Sequence, residues 1–332
     1  MPKSTKGRYE SNPILGPILQ YLKTNIGILI GFAVLFCILS IFAERFFTYA
    51  NFLNVMRTVS TNAYLSIGVM LAIMLGGIDL TGGALLAFSG CITVVALQRF
   101  GVSIPVAVGF GLIVGAIAGF ANGVIIAYSG IHPFVVTLAM MSICRGGAYL
   151  IADGKPVALM NDSFTELGNG YLGPVPLPVV YTLVFMFLAY LLLNKTRIGR
   201  HIYAVGGNNI AARYSGINIK KVKIVVWTIS GFLGAFGGVI LASRMSSGQP
   251  AVGLGFETDA IAAAVLGGTS MYGGVGTVGG MFIGVLVIGI ISNGLNLLHV
   301  NSYWQYVAKG VIILIAVYID MYRKKREDTR KA

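Results

Sequence analysis

Apolar residues run in stretches of about 18 or more from Ile26 to Ile319, separated by short polar segments. A stretch of that length crosses the hydrocarbon core of a bilayer as one helix. The pattern predicts spans near 26–43, 59–76, 82–98, 104–128, 133–152, 174–194, 224–243, 259–272, 276–298 and 303–322. Water is absent from the membrane interior, so backbone groups there must pair within helices. The expectation is therefore an all-α, polytopic membrane chain of about ten transmembrane helices. Ile26 to Ala43 follows Lys23 as a signal peptide would, yet it runs into Glu44-Arg45-Phe46-Phe47 without a small-x-small cleavage site. It reads as a first span.

The polar interruptions set the orientation. Residues 195–223 form the longest, with seven Lys or Arg and no Asp or Glu. Short loops rich in Lys and Arg stay in the cytoplasm. An even number of spans puts both termini on one side, and both are basic, so both are expected to be cytoplasmic. Residues 1–24 then form a cytoplasmic tail, with Pro13 to Leu22 as an interfacial segment. Residues 25–322 form the transmembrane domain, with the loop 195–223 inside, and 323–332 a basic cytoplasmic tail. Asp153, Asp162 and Glu166 place an acidic excess in the outside loop 153–173.

Composition narrows the class. Of 332 residues, 56% are apolar and 11% charged, which excludes a soluble domain. The net charge of +13 does not indicate nucleic acid, because 17 of the 24 Lys and Arg lie in the two tails and the central loop. These are topology signals next to anionic membrane lipid. Glycine, at 45 residues, is about twice its ordinary 7% share. Small residues let membrane helices pack backbone to backbone and permit broken helices around a cavity. Cys37, Cys91 and Cys144 fall in apolar runs without disulfide or metal spacing.

Two matches point to an internal 5+5 inverted repeat with broken helices. Asn122-Gly123 closes the fourth span and Asn293-Gly294 the ninth, which cross in opposite directions. A competing match, Leu75-Gly-Gly against Leu266-Gly-Gly, does not fit that register.

Few side chains could carry chemistry. Asp79 lies in Gly76-Gly77-Ile78-Asp79-Leu80-Thr81-Gly82-Gly83, where glycines on both sides disfavour a helix. It reads either as a cap on the span that starts at Gly82 or as part of a broken element lining or gating a path. Glu257 and Asp259 precede the eighth span, Asp259 in the place of an N-cap. With Gln249 they mark an outer mouth or a contact with an external partner. Arg145 and Lys309 sit inside spans and can snorkel to an interface; Arg145 could instead meet a substrate hydroxyl. Trp304 and Gln305 suit an interfacial belt or a stacking platform. His132, before Pro133, reads as a cap, and Asn122 and Asn293 as interhelical hydrogen-bonding groups. In the central loop a short helix is expected from Asn208 or Asn209, with Ala211 and Ala212 admitting a close partner and Gly216 supplying a left-handed stop.

Ala211-Ala212, three residues, then Gly216 resembles the coupling loop of ATP-binding-cassette import permeases. The fuller phrase Gly199-Arg200, Ala204-x-Gly206-Gly207-Asn208, Ala211-Ala212, Ser215-Gly216-Ile217 is similar to the ribose, galactose and xylose importer permeases. So are Gly77-Ile78-Asp79-Leu80, Gly255-Phe256-Glu257-Thr258-Asp259, Val265-Leu266-Gly267-Gly268-Thr269 and Tyr303-Trp304-Gln305-Tyr306. The resemblance extends from about Phe47 to Asp320 in five blocks; Ile210 stands where the wider superfamily often has an acidic residue. It implies a permease subunit carrying a pentose or hexose inward across the cell membrane of a prokaryote. It also implies a second copy of this chain, a cytoplasmic ATPase subunit that uses ATP and Mg, and an extracytoplasmic sugar-binding protein. The chain itself has no Gly-x4-Gly-Lys-Ser/Thr loop and is expected to bind no cofactor. Residues implied in ATPase coupling are Gly206, Asn208, Ala211, Ala212, Arg213, Ser215, Gly216 and Ile217; those implied in the path or gate are Gly76, Gly77, Asp79, Asn122, Arg145 and Asn293.

Two other classes compete. A secondary transporter or channel without ATP coupling would normally need an intramembrane ion site, for which Asp79 is the one candidate. A membrane-embedded aspartyl protease needs two facing aspartates, and Asp320 at the last span's basic end does not supply the second.

Overall fold

The computed structural model describes residues 36–37, 40–301, 303–311, 314 and 318. Its helices are α1 (Tyr49–Met74), α2 (Gly82–Phe100), α3 (Ile104–Tyr128), α4 (Pro133–Ile151), α5 (Asp162–Asn169), α6 (Leu177–Lys195), α7 (Arg197–Gly207), α8 (Asn209–Tyr214), α9 (Ile219–Met245), α10 (Phe256–Leu266) and α11 (Val278–Leu297). Residues 303–311 are helical as well. Two-residue strands β1 (Val157–Ala158), β2 (Tyr171–Leu172), β3 (Val175–Pro176) and β4 (Ser247–Gly248) form two antiparallel pairs, β1 with β4 and β2 with β3. The chain is an all-α polytopic membrane protein, and six described helices (α2, α3, α4, α6, α9 and α11) are long and apolar enough to cross a bilayer.

The predicted boundaries shift for local reasons. The span expected from residue 59 starts at Tyr49, where Thr48 caps α1 through its Oγ1 and the Asn51 amide at 3.3 Å. Asn51, Asn54 and Arg57 make this first stretch too polar to stand out as hydrophobic. The span expected over 259–272 is an 11-residue helix ending at Leu266. At 1.5 Å per residue it covers only about 16 Å, half a bilayer core. The polar loop expected over 153–173 holds β1, α5 and β2. Most of the first predicted span, 26–43, and much of the last, 303–322, fall outside the described residues.

Two helices form the centre. α1 is buried from Val59 to Met74 and pairs antiparallel with α9. The pairing runs from Arg244 Nη1, which donates to the Arg57 carbonyl at 3.2 Å, through Tyr64 edge-on to Phe236 at 5.1 Å, to Gly68 beside Ser230. The other face of α9 meets α3. Gly111, Gly115, Gly119 and Gly123, each four residues apart, make one glycine face on α3. A Cβ on Gly119 would stand 3.0 Å from the Gly231 Cα, and one on Gly123 would stand 2.7 Å from the Ile224 Cα. Between lipid-facing helices this backbone-level approach supplies the van der Waals contact that water would otherwise drive.

The repeat appears in the packing. Among the described residues the order long helix, break, helix, helix, helix occurs twice: α1, residues 75–81, α2, α3, α4, and then α9, residues 246–255, α10, α11, residues 303–311. Each half's long helix packs into the other half, α9 on α2 and α3, and α1 on α10 and α11. α11 runs antiparallel to α1, with Asn293 beside Asn51 and Val59 beside Gly289, so α3 and α11 point in opposite directions. Asn122 and Asn293 occupy equivalent helices. Leu75 and Leu266 do not, since one ends a half's first helix and the other its second.

Gly115→Leu should overpack the α3–α9 contact and lower stability by about 1–3 kcal/mol or more. Gly109→Ala on the same helix, with open space around it, should be neutral or slightly stabilising. Thermal unfolding of the two variants in detergent checks the contrast; equal effects would contradict the packing argument.

Candidate functional site

The first break begins where Leu75-Gly76-Gly77 ends α1. Gly76 is left-handed (φ 74°), and the Gly77 amide donates to the Ala72 carbonyl at 3.0 Å. A Cβ on Gly77 would stand 2.7 Å from the Trp227 ring, so the chain passes there only as glycine. The following extended residues are held by three helices. Thr137 Oγ1 of α4 donates to the Ile78 carbonyl at 2.9 Å. Ser230 Oγ of α9 donates to Asp79 Oδ2 at 2.6 Å, and the Thr81 amide donates to Asp79 Oδ1 at 2.9 Å. Asn122 Nδ2 of α3 donates to Thr81 Oγ1 at 2.9 Å. Asp79 thus takes one backbone amide, as a cap would, but the N-cap of α2 is Thr81, and the second carboxylate oxygen ties the break to α9. Asn122 makes the interhelical bond expected of it, and Asn293 does likewise with Asn51 at 2.7 Å.

The second break, residues 246–255, leaves α9 through left-handed Ser246 (φ 47°) and reaches α10 through left-handed Gly253 and Gly255. β4, at its start, pairs with β1. Arg145 of α4 donates through Nη1 to the carbonyls of Pro250 and Val252, both at 2.7 Å. Snorkelling, expected for Arg145, gives way to this bond because free carbonyls beside it in an apolar bundle need a donor. Gln249 is half-buried, and its carbonyl accepts from the Val252 amide at 3.3 Å.

Three more expectations are corrected here. Asp259 is not an N-cap: α10 starts at Phe256 with Gly255 as its cap residue, placing Asp259 inside the first turn. Nor does Lys309 snorkel, since its Nζ meets Asp259 Oδ2 at 2.7 Å. Glu257, expected at an outer mouth, turns inward, with Oε1 accepting from the Gly255 amide at 3.2 Å and Oε2 buried beside Gly83. Gln305 bonds Asn296 Oδ1 at 2.8 Å, and Trp304 lies exposed as a belt residue would.

The second break meets the first turn of α2, just beyond the first break. A Cβ on Gly253 would stand 2.6 Å from the Gly83 carbonyl, and the position of a Gly83 Cβ is already filled by the Gly253 carbonyl and Glu257 Oε2. Backbone therefore touches backbone where the second break reaches the start of α2. Gly83 stood in the glycine-rich phrase around Asp79, but nothing in the sequence pairs it with a position as far away as Gly253.

At the basic end of the bundle, the loop 195–223 folds as α7 and α8. Asn208 caps α8, its Oδ1 accepting from the Ala211 amide at 2.9 Å. Gly216 (φ 79°) closes it: the Gly216 amide donates to the Arg213 carbonyl and the Ile217 amide to the Ala212 carbonyl, both at 3.1 Å. That is the Schellman arrangement, and it realises the expected left-handed stop. Ala211, Arg213 and Ser215 are exposed, but Ala212 is buried against its own chain, so only one of the two alanines faces out. Ile210 and Tyr214, one turn apart, are 71% and 88% exposed and leave an apolar pair without cover. Gly206 faces inward, against the Met74 carbonyl and the Gly274 amide. The Gly274 amide donates to Met74 at 2.9 Å, and Tyr203 Oη donates to the Gly276 carbonyl at 2.8 Å. Burial pushes the Tyr203 phenol above its usual range, which keeps that donor protonated. The loop thus bears directly on the end of α1 and on the glycine-rich turn between α10 and α11.

A family model described as branched-chain amino acid transport system / permease component matches residues 51–317. The chain belongs to this family. It is 43% identical over 299 residues to the ribose import permease protein RbsC of Escherichia coli K12, covering 88% of this chain and 92% of that one. It is 42% identical over 303 residues to the RbsC of Bacillus subtilis 168, covering 91% and 93%. The L-arabinose transport system permease protein AraH of Escherichia coli K12 is 38% identical over 303 residues, covering 91% and 92%. No solved structure matches the chain. The matched segment spans both breaks and the basic loop.

Lys309→Met should leave the Asp259 carboxylate buried without its cation and cost about 3–5 kcal/mol. Asp259→Leu combined with Lys309→Met should recover much of that loss. Thermal stability in detergent tests the pair; additive losses would show that the two side chains are not energetically coupled.

Proposed function

We propose that this chain is the membrane-spanning permease subunit of an ATP-driven sugar importer in a prokaryotic cell membrane. The observation that carries the reading is near-full-length similarity, up to 43% identity, to permeases named for ribose and L-arabinose import. Those names favour a pentose as the substrate. In this reading the basic end faces the cytoplasm, as the excess of Lys and Arg in 195–223 supports, and both termini lie there too. The chain works as a pair of copies and binds no cofactor itself. ATP and Mg are handled by a cytoplasmic ATPase that seats α8, with the uncovered Ile210, Arg213 and Tyr214 as its contacts. An extracytoplasmic sugar-binding protein delivers sugar at the opposite end.

The geometry gives the coupling a physical route. A push on α8 reaches α7, and α7 abuts Met74, Gly274 and Gly276 at the ends of α1, α10 and α11. Met74 adjoins the first break. Nucleotide shifts the balance between inward-open and outward-open states only as far as the ATPase holds α8 differently in the two. Asp79, Asn122, Ser230 and Thr137 hold the first break in place through their hydrogen bonds. The uncoupled-transporter reading has no comparable support, because both Asp79 oxygens already accept bonds.

The test is gentle purification of the tagged chain from its native membrane, with mass spectrometry of bound proteins and uptake of labelled ribose and L-arabinose. An ATPase should co-purify and be lost on Ile210→Asp with Tyr214→Asp. A stable homo-oligomer with no ATPase, and uptake indifferent to ATP, would contradict the proposal. Gly216→Ile, forced into a left-handed conformation that β-branched residues resist, should uncouple ATP hydrolysis from uptake while the spans stay folded. Uptake at the wild-type rate with the ATPase bound would remove that role from Gly216.

A further inference from the structure

α4 is a peripheral helix: only Val136, Thr137, Cys144 and Ala148 of its 19 residues are buried. Yet it bonds to both breaks. Near its start Thr137, fully buried, donates to the Ile78 carbonyl in the first break, and the Pro133 side chain sits 3.1 Å from where a Gly77 Cβ would be. Eight residues later, about 12 Å along the helix axis, Arg145 donates to the carbonyls of Pro250 and Val252 in the second break. Between these points α4 lies on α2, with Cys144 beside Ala84 and Leu85, and Gly147 seating the Phe88 ring. The counterpart helix of the second half shows the same habit on one side, where Lys309 grips Asp259 just beyond the second break.

We propose that α4 is a strut that makes the two breaks move together, with Thr137 and Arg145 as its positioning residues. A helix bonded at two points transmits displacement from one to the other, because its own backbone bonds hold their separation fixed. Movement of the first break then changes the exposure of the second. The rest of the buried packing of α4 lies mainly on α2, so the two helices tilt together as a body. The use of this linkage in transport rests on the permease reading, but the linkage itself is a property of this chain alone.

The experiment uses the full chain in membrane vesicles, without ATPase, so its outcome is independent of whether the permease reading holds. Cys37, Cys91 and Cys144 are replaced by Ala, and a reporter is placed in the second break as Gln249→Cys. Thr137→Val removes the hydroxyl that reaches Ile78 while keeping the side-chain shape. The labelling rate of the reporter by a maleimide should change several-fold, whereas a reporter at exposed Met160→Cys should not respond. Thr137→Ser, which keeps the hydroxyl, should match the parent. In the reverse direction Arg145→Lys should change the labelling of Ile78→Cys in the first break, which covers the case in which Thr137→Val fails to fold. If each substitution alters only the break it touches and leaves the remote reporter at its parent rate, the strut is refuted.

Discussion

Hydrocarbon offers no hydrogen bonds, and that constraint governs everything else in this bundle. A helix interrupted inside a membrane frees backbone groups that must find protein partners. The chain interrupts itself twice, and each interruption is wrapped by side chains that supply the missing bonds. Thr137 serves the Ile78 carbonyl and Arg145 those of Pro250 and Val252, while Ser230 and Asn122 hold the side chains of Asp79 and Thr81. The polar residues inside the spans are therefore largely fasteners for irregular backbone. Their placement explains how Arg145 and Asp79 are accommodated in an apolar bundle.

Close approach is the second consequence. Bonds of about 3 Å across a break require helices that come nearer than ordinary side chains permit, so glycine lines the seams. The α3 face of Gly111 to Gly123 brings α3 onto α9, and Gly83 at the start of α2 meets Gly253 of the second break. At the basic end Gly206 fits against Met74 and Gly274, joining α7 to the ends of the core helices. The glycine content is thus a map of contacts: small residues mark where backbone meets backbone.

Much of this was legible in the chain itself. Hydrophobic run lengths give α2, α3, α4, α6 and α11 nearly to the residue, and the residues 208–216 give the cap, the helix and its left-handed stop. The Asn122 and Asn293 match gives the register of the repeat. What could not be read are contacts between distant residues. Asp259 looks like a cap until Lys309, 50 residues away, is seen beside it, and Arg145 looks free to snorkel until the 250–252 carbonyls are in place. Ala211 and Ala212 look equivalent in sequence, but the orientation of α8 buries one and exposes the other. The four-residue spacing on α3 was a signal within reach, since a glycine every fourth position faces one partner. The polar start of α1 hid ten residues of helix, because Asn51, Asn54 and Arg57 break the hydrophobic run there.

In the proposed permease, the contact of Gly83 at the start of α2 with Gly253 of the second break is expected to loosen as a solute passes. The most direct measurement is the distance between spin labels at Leu80→Cys and Leu254→Cys, in the assembled transporter in lipid nanodiscs, without nucleotide and with ATP trapped before hydrolysis. The account predicts two distinct distance distributions, with the longer one populated in only one nucleotide state. A single unchanged distribution in a preparation that still takes up sugar would contradict it.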